Sequence, residues 1–341
     1  MPLTALGTHP GDPAVRTAAV EVRGLVKTYP GTGKRADVEA VRGIDLDVPA
    51  GELFGFLGPN GAGKSTRIKI LCTLVRPTEG SARVAGFDVV RERDDVRRHI
   101  GLVFQETTLD GHLTAEQNLR FHAEIYGMAR ASVGPRLATV LEMVGLADRR
   151  SSVVNTFSGG MKRRLEIARG LMHSPRVLFL DEPTIGLDPE SRASLWEYVD
   201  RLRAEEDITV FLTTHYMDEA ERCDRIAIVD SGRIGALDSP AALKASVGSD
   251  RVQQSTAHDD AAEALVRDRL GVETVREEGA LVVLTRDGEQ FVPRLFELGL
   301  TVRSVSVTRP SLDDVFLAYT GARLADRPAG SGRRAGTGGR R

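Results

Sequence analysis

The stretch Leu53-Phe54-Gly55-Phe56-Leu57-Gly58-Pro59-Asn60-Gly61-Ala62-Gly63-Lys64-Ser65-Thr66 decides how the rest of the chain is read. A short apolar strand, Leu53 to Leu57, runs into a loop that fits G-x-x-x-x-G-K-[ST] from Gly58 to Ser65, and a helix is predicted from Thr66 to Leu74. Glycines let the backbone curl so that successive N–H groups point inward at phosphate oxygens. The helix that follows aims its N-terminus at the same anion. Lys64 supplies a point charge for the β- and γ-phosphates, and Ser65 offers a hydroxyl to Mg²⁺. Strand before and helix after is the context that separates this motif from a chance Gly-rich turn.

Working outward, Val177-Leu178-Phe179-Leu180-Asp181-Glu182 places two carboxylates at the end of a buried strand. Asp181 suits Mg²⁺ held through water, and Glu182 suits general-base work on an attacking water. Alone, Asp-Glu-Pro reads equally well as a turn that caps a helix; the phosphate loop tips the balance toward chemistry. Phe157-Ser158-Gly159-Gly160-Met161 opens a basic, helix-forming run from Lys162 to Met172. Ser and two Gly at a helix start make a second place for an anion, although a plain helix cap is the better reading of that segment by itself. One complete phosphate loop with two phosphate-suited helix starts implies a second copy of the chain.

In this order the motifs from Tyr29 to about Leu237 resemble the ATP-binding subunit of an ABC transporter. The resemblance implies a P-loop α/β fold with antiparallel-β and helical subdomains, acting on ATP with Mg²⁺. It implies that Tyr29 stacks on adenine, and that Gly58, Pro59, Asn60, Gly61, Ala62, Gly63, Lys64, Ser65 and Thr66 hold the phosphates. Ser65, Gln105 and Asp181 would attend the metal, and Gln105 would link it and the attacking water to a membrane partner. Ser158, Gly159 and Gly160 match the contacting part of the LSGGQ signature, whose first and last positions differ here. Asp188 in Gly186-Leu187-Asp188 resembles a dimer-contact loop, and His215 matches the switch histidine at the γ-phosphate, so that Glu182, His215 and Gln105 form the catalytic set. Tyr29, Gln105 and His215 would each read as ordinary structural residues in isolation; their joint order carries the assignment. Within the family, the C-terminal part with Pro310-Ser311-Leu312-Asp313-Asp314-Val315-Phe316 resembles the daunorubicin/doxorubicin-resistance export group, and related polysaccharide and antibiotic exporters share similar ends.

Composition agrees. The 341 residues are 41% hydrophobic and 28% charged, an ordinary globular balance. A net charge of −2 weighs against a whole-chain nucleic-acid binder, and two cysteines exclude a disulfide framework or a four-cysteine zinc site. No run of about 18 apolar residues occurs, so a membrane span must come from a separate permease subunit. The N-terminus has no apolar core of a secretory signal. The expected organisation is a disordered leader at 1–18, an ATPase domain at 19–245 with a helical subdomain at about 106–172, a small βαββαβ (ferredoxin-like) α+β domain at 246–322 and a disordered Gly/Arg tail at 323–341. Strand pairs are expected at 19–29 with 38–48, at the edge of the fold, and at 225–230 with 233–237 around Ser231-Gly232. The stretch 114–170 reads as helical with breaks at Gly134-Pro135 and Ser158-Gly159-Gly160.

The function expected is ATP hydrolysis by a homodimer bound peripherally to permease subunits at the cytoplasmic face of the plasma membrane, exporting a drug or antibiotic-like molecule, with no nucleic acid as partner. Glu106 to Met128 would be the docking region. The alternatives are a soluble ABC-type ATPase acting on ribosomes or DNA, an exporter of polysaccharide or lipid, a single-site P-loop kinase, and a non-enzymatic nucleotide-gated module. The tandem cassettes, coiled-coil insertion or zinc cysteines of the first are missing from this sequence, and a kinase has no use for Ser158-Gly159-Gly160.

Overall fold

The computed structural model describes residues 18–31, 36–206, 208–256, 259–272, 274–277, 280–285, 287–298 and 302–321. The leader before Ala18 and the Gly/Arg tail lie outside the described residues. In chain order the strands are β1 (Ala18–Tyr29), β2 (Val38–Pro49), β3 (Leu53–Leu57), β4 (Glu79–Val84), β5 (Phe87–Asp88), β6 (Ile100–Val103), β7 (Val177–Asp181), β8 (Thr209–Thr214), β9 (Arg225–Asp230), β10 (Arg233–Asp238), β11 (Asp250–Thr256), β12 (Thr274–Glu277), β13 (Ala280–Thr285) and β14 (Val302–Thr308). The helices are α1 (Lys64–Leu71), α2 (Arg93–His99), α3 (Ala115–Ile125), α4 (Arg130–Met143), α5 (Gly159–Leu171), α6 (Pro189–Glu206), α7 (Met217–Ala220), α8 (Pro240–Val247), α9 (Asp259–Leu270), α10 (Gly288–Glu297) and α11 (Leu312–Thr320). By contacts the chain divides into two compact units. The first takes the residues up to Glu52 and Thr66–Phe211; the second takes Leu53–Ser65 and the residues from Leu212 on. The division falls within β8.

In the first unit, β1 pairs antiparallel with β2 as the alternation of Val20, Val22 and Leu25 anticipates. The pair lies at one edge of its sheet, with β2 as the outermost strand. The sheet order is β2-β1-β4-β5, so β1 is an interior strand. Residues 75–98 show no sequence period, because β4 (Glu-Gly-Ser-Ala-Arg-Val) buries only Ala82 and Val84, too few apolar side chains to set one. Of a six-stranded sheet, the run β8-β7-β6 has β6 and β7 parallel. Every residue of β7 and β8 is buried, the signature of a parallel sheet covered on both faces.

The helical stretch breaks elsewhere than at Gly134-Pro135. Helix α4 runs through both residues, because Val133, Leu137, Val140 and Leu141 form one buried stripe. Pro135 sits in the second turn, where its missing N–H leaves the helix short of one internal bond. The chain instead leaves helix between Tyr126 and Ala129 and again between Val144 and Ser158, where only two short 3₁₀ turns occur. Helix α3 opens with a capping box in which Thr114 accepts from Gln117 N–H and Gln117 accepts from Thr114 N–H. Its Phe121 and Ile125, one turn apart, are both exposed.

In the second unit the order is β10-β9-β3-β8, with β3 parallel to β9. The β9–β10 turn carries φ of 47° at Ser231 and 83° at Gly232, the two left-handed residues that a tight hairpin demands. Beyond α8, the strands pair in the order β12-β13-β11-β14, all antiparallel. With α9 and α10 this is the split βαβ arrangement that the sequence order implied. Its core is Val252, Val266, Leu281, Val283, Phe291 and Leu295. Helix α11 opens with a capping box between Ser311 and Asp314, and it packs on α8, β9 and β10 of the same unit. Leu312, Val315 and Phe316 are buried there, whereas Tyr319 is exposed.

Helix α10 offers a direct check of this core. Truncating buried Phe291 to Ala should lower the unfolding free energy by about 3–5 kcal/mol, read as a lower urea midpoint by circular dichroism. Phe296→Ala, on the exposed side of the same helix, should change it by less than about 0.5 kcal/mol.

Candidate active site

The phosphate loop belongs to the second unit. Gly61 and Gly63 take φ of 84° and 88°, the left-handed backbone that lets consecutive N–H groups face one concavity. Gly58 is pressed against β9: a Cβ there would collide with the Val229 carbonyl oxygen and Cγ2. Its N–H donates to the Thr214 carbonyl at 3.3 Å, tying the start of the loop to the end of β8. Lys64 is only 4% exposed, and its ammonium donates to the carbonyls of Gly58 (2.5 Å) and Pro59 (3.1 Å), so its charge is held inside the loop. Asn60 and Gly61 are exposed at the tip, and Ala62 is buried with its N–H on the Pro59 carbonyl. Ser65 and Thr66 are half-buried in the first turn of α1. His215 follows β8 directly and lies against Tyr216, ring centroids 4.1 Å apart. Since Thr214 is the residue bonded to Gly58, the structure brings the segment that carries His215 to the loop.

The acidic and signature segments belong to the first unit. Asp181 ends β7 and Glu182 follows; both are buried. Gln105 is exposed just beyond β6. Ser158 is the N-cap of α5, its hydroxyl accepting the Met161 N–H at 3.2 Å. Ser158 and Gly159 are exposed and Gly160 is buried. A Cβ on Gly160 would come within 2.5 Å of Ser191 Oγ, so only glycine lets α5 start this close to α6. Ser191 in turn donates to Asp188 from its N–H (2.9 Å) and its hydroxyl (2.7 Å), and these bonds hold the Asp188 carboxyl below the usual carboxylate range. The start of α5 at Gly160 and the Asp188 carboxyl are therefore joined through one serine. Tyr29 stands apart at the end of β1, half-buried, with the Lys27 ammonium 5.0 Å over its ring.

Sequence reasoning missed what knits this unit together. Arg163, one turn into α5, is buried. Its guanidinium donates to the carbonyls of Pro183 (2.7 Å), Asp181 (3.2 Å), Glu182 (3.3 Å) and Phe104, and it pairs with Glu166 at 3.1 Å. The other Glu166 oxygen accepts the Thr108 N–H at 2.8 Å, and Arg169 donates to the Thr108 carbonyl at 2.9 Å. In the sequence Arg163 reads as one residue of a basic helical run; the signal that singles it out is its i,i+3 spacing to Glu166.

The comparisons with known proteins agree with this geometry. A family model described as ABC transporter matches residues 41–185. The chain is 45% identical to the daunorubicin/doxorubicin resistance ATP-binding protein DrrA of Streptomyces peucetius, over 91% of this chain and 95% of that one. It is 39% identical to the linearmycin resistance ATP-binding protein LnrL of Bacillus subtilis, over 84% of this chain and 95% of that one. Among solved structures it resembles an ATP-binding subunit of an ABC transporter (30% identity, TM-score 0.57, 66% of this chain and 92% of that one). It also resembles a dimeric ATP-binding cassette in a post-hydrolysis state bound to ADP and Pi (28% identity, TM-score 0.58, 64% and 98%). The chain belongs to the ABC transporter family, as one of its ATP-binding proteins.

Proposed function

We propose that the chain is the ATP-hydrolysing, energy-coupling subunit of an exporter for a drug or antibiotic-like small molecule. The observation that carries the reading is the end-to-end match to a resistance ATP-binding protein, 95% of whose length the chain spans. Among the described residues no helix is long and apolar enough to cross a membrane, so transport calls for separate integral permease subunits. The chain would sit against them at the cytoplasmic face of the membrane, docking through the region 106–128. Residues 19–245 would form the ATPase domain and 246–322 an accessory domain.

The nucleotide is ATP, and the donor set suits Mg²⁺. Ser65, Asp181 and Gln105 offer hard oxygens, while no group of three or more His, Cys, Asp or Glu that could hold a metal occurs among the described residues. That is the habit of Mg²⁺, which keeps phosphate and water oxygens around it and takes few from protein. When bound it would offset charge on the phosphates. Lys64 and the loop N–H groups would hold the β- and γ-phosphates, and Tyr29 would offer its ring to the adenine. Glu182 would take the proton from the attacking water, with Gln105 and His215 positioning that water. Ser158, Gly159 and Gly160 of a second copy would close over the γ-phosphate, with Asp188 at the dimer contact. ATP then favours the closed homodimer because only the loaded site gains the cross-chain contacts, and loss of the γ-phosphate releases it.

Lys64→Ala should weaken ATP binding on the order of 100-fold or more, measured by titration with a fluorescent ATP analogue, because it removes a charge-assisted contact to two phosphates. Unchanged affinity would overturn the loop assignment. Glu182→Gln should bind ATP, hydrolyse it about 10²–10⁴-fold more slowly and elute as a dimer in ATP; a monomer at saturating ATP would count against the sandwich. Affinity purification of the tagged chain from solubilised native membranes should retain a polytopic membrane protein. Ribosomal or DNA-repair proteins in its place would leave the ATP chemistry standing and remove the export reading.

A further inference from the structure

No step above uses Arg163, yet its contacts converge on the two backbone segments that carry Glu182 and Gln105. Glu182 has φ of +49°, in the left-handed region that a residue with a Cβ adopts only under constraint. Such a conformation persists when its surroundings over-determine it, and it is a recurrent mark of working sites. Here the constraint is visible. Arg163 donates to the carbonyls of Asp181, Glu182 and Pro183, which bracket the strained residue on both sides. The same guanidinium donates to the carbonyl of Phe104, the residue before Gln105. Glu166 orients it at 3.1 Å, and through the Thr108 N–H holds the far side of the Gln105 segment. The helix that starts at Ser158 therefore fixes the loop between Phe104 and Thr108 at both ends, and fixes the Glu182 backbone with the same side chain.

We propose that Arg163, oriented by Glu166, is a positioning residue for ATP hydrolysis that imposes the left-handed backbone at Glu182 and keeps Gln105 aligned with it. The inference rests on the reading of Glu182 as the general base. Arginine is required by geometry as well as charge. Four carbonyls and a carboxylate lie around one planar fork of five donors, whereas a lysine ammonium is a point charge with three.

The test uses the full chain and four variants: Arg163→Lys, Glu166→Gln, Glu182→Gln and the double variant Arg163→Lys/Glu182→Gln. Three quantities are read: affinity for a fluorescent ATP analogue, single-turnover hydrolysis of radiolabelled ATP at saturation, and thermal unfolding. Arg163→Lys should lower the hydrolysis rate about 30–100-fold while ATP affinity stays within about twofold, the split expected when an alignment made for the chemical step is lost. Glu166→Gln should lower it about tenfold, and it carries the same test with Glu182→Gln if the lysine variant fails to fold. The double variant should hydrolyse within about threefold of Glu182→Gln alone, because groups that act through one another are not additive. Multiplied losses in the double variant, or a rate in Arg163→Lys near wild type, would overturn the proposal. Wild-type hydrolysis by Glu182→Gln would instead remove the general base beneath it, a separate and recognisable failure.

Discussion

An anion can be held by backbone N–H groups only if the chain turns sharply at the end of a strand that cannot move. That constraint organises this protein. Gly58 meets it by lying so close to Val229 that no side chain fits, and by bonding to Thr214. The loop thereby inherits the rigidity of β3, β8 and β9. Lys64 is buried inside the turn with its ammonium on the loop's own carbonyls, which keeps a cation where phosphate oxygens would arrive without leaving it unsatisfied. Placing the loop between two strands also places His215, because Thr214 is its neighbour in sequence.

The same economy of parts recurs in the first unit, where one helix performs several placements. Helix α5 begins at Ser158, approaches α6 through Gly160, and reaches the ends of β6 and β7 through Arg163. A buried guanidinium is costly to desolvate, and replacing its partners by nothing would leave an uncompensated charge. Glu166, fully buried, supplies the opposite charge one turn away on the same helix. Motions of this helix would thus be transmitted to the Glu182 and Gln105 backbones rather than absorbed between them.

How much of this was legible depended on how local the signal is. The phosphate loop, the Val177–Asp181 strand, the Ser231-Gly232 hairpin and the strand–helix order of the C-terminal module all rest on short-range chemistry, and each is read from adjacent residues. The segment 75–98 was not, since β4 is recruited by pairing with β1 across some sixty positions, a contact no window of residues reveals. Pro135 misled for the complementary reason: a local breaker was overruled by a buried stripe that the four side chains from Val133 to Leu141 form only against neighbouring helices. Of the candidate site, the residues of the motifs were legible and the means of aligning them were not. Arg163 looks like any other basic residue on a helix until the carbonyls around it are in view.

The left-handed backbone at Glu182 has a consequence for what natural variation at this position would select. Glycine or asparagine would take up this backbone with less strain than glutamate. On the reading of Glu182 as general base, a single substitution there would relieve backbone strain and remove the chemistry together. Such a variant would compete with active copies for the same assemblies, and a cell carrying both would lose more activity than the share of altered chains. On that reading, position 182 is a place where backbone strain and activity pull in opposite directions, and a screen for thermal tolerance alone would drift toward loss of function there.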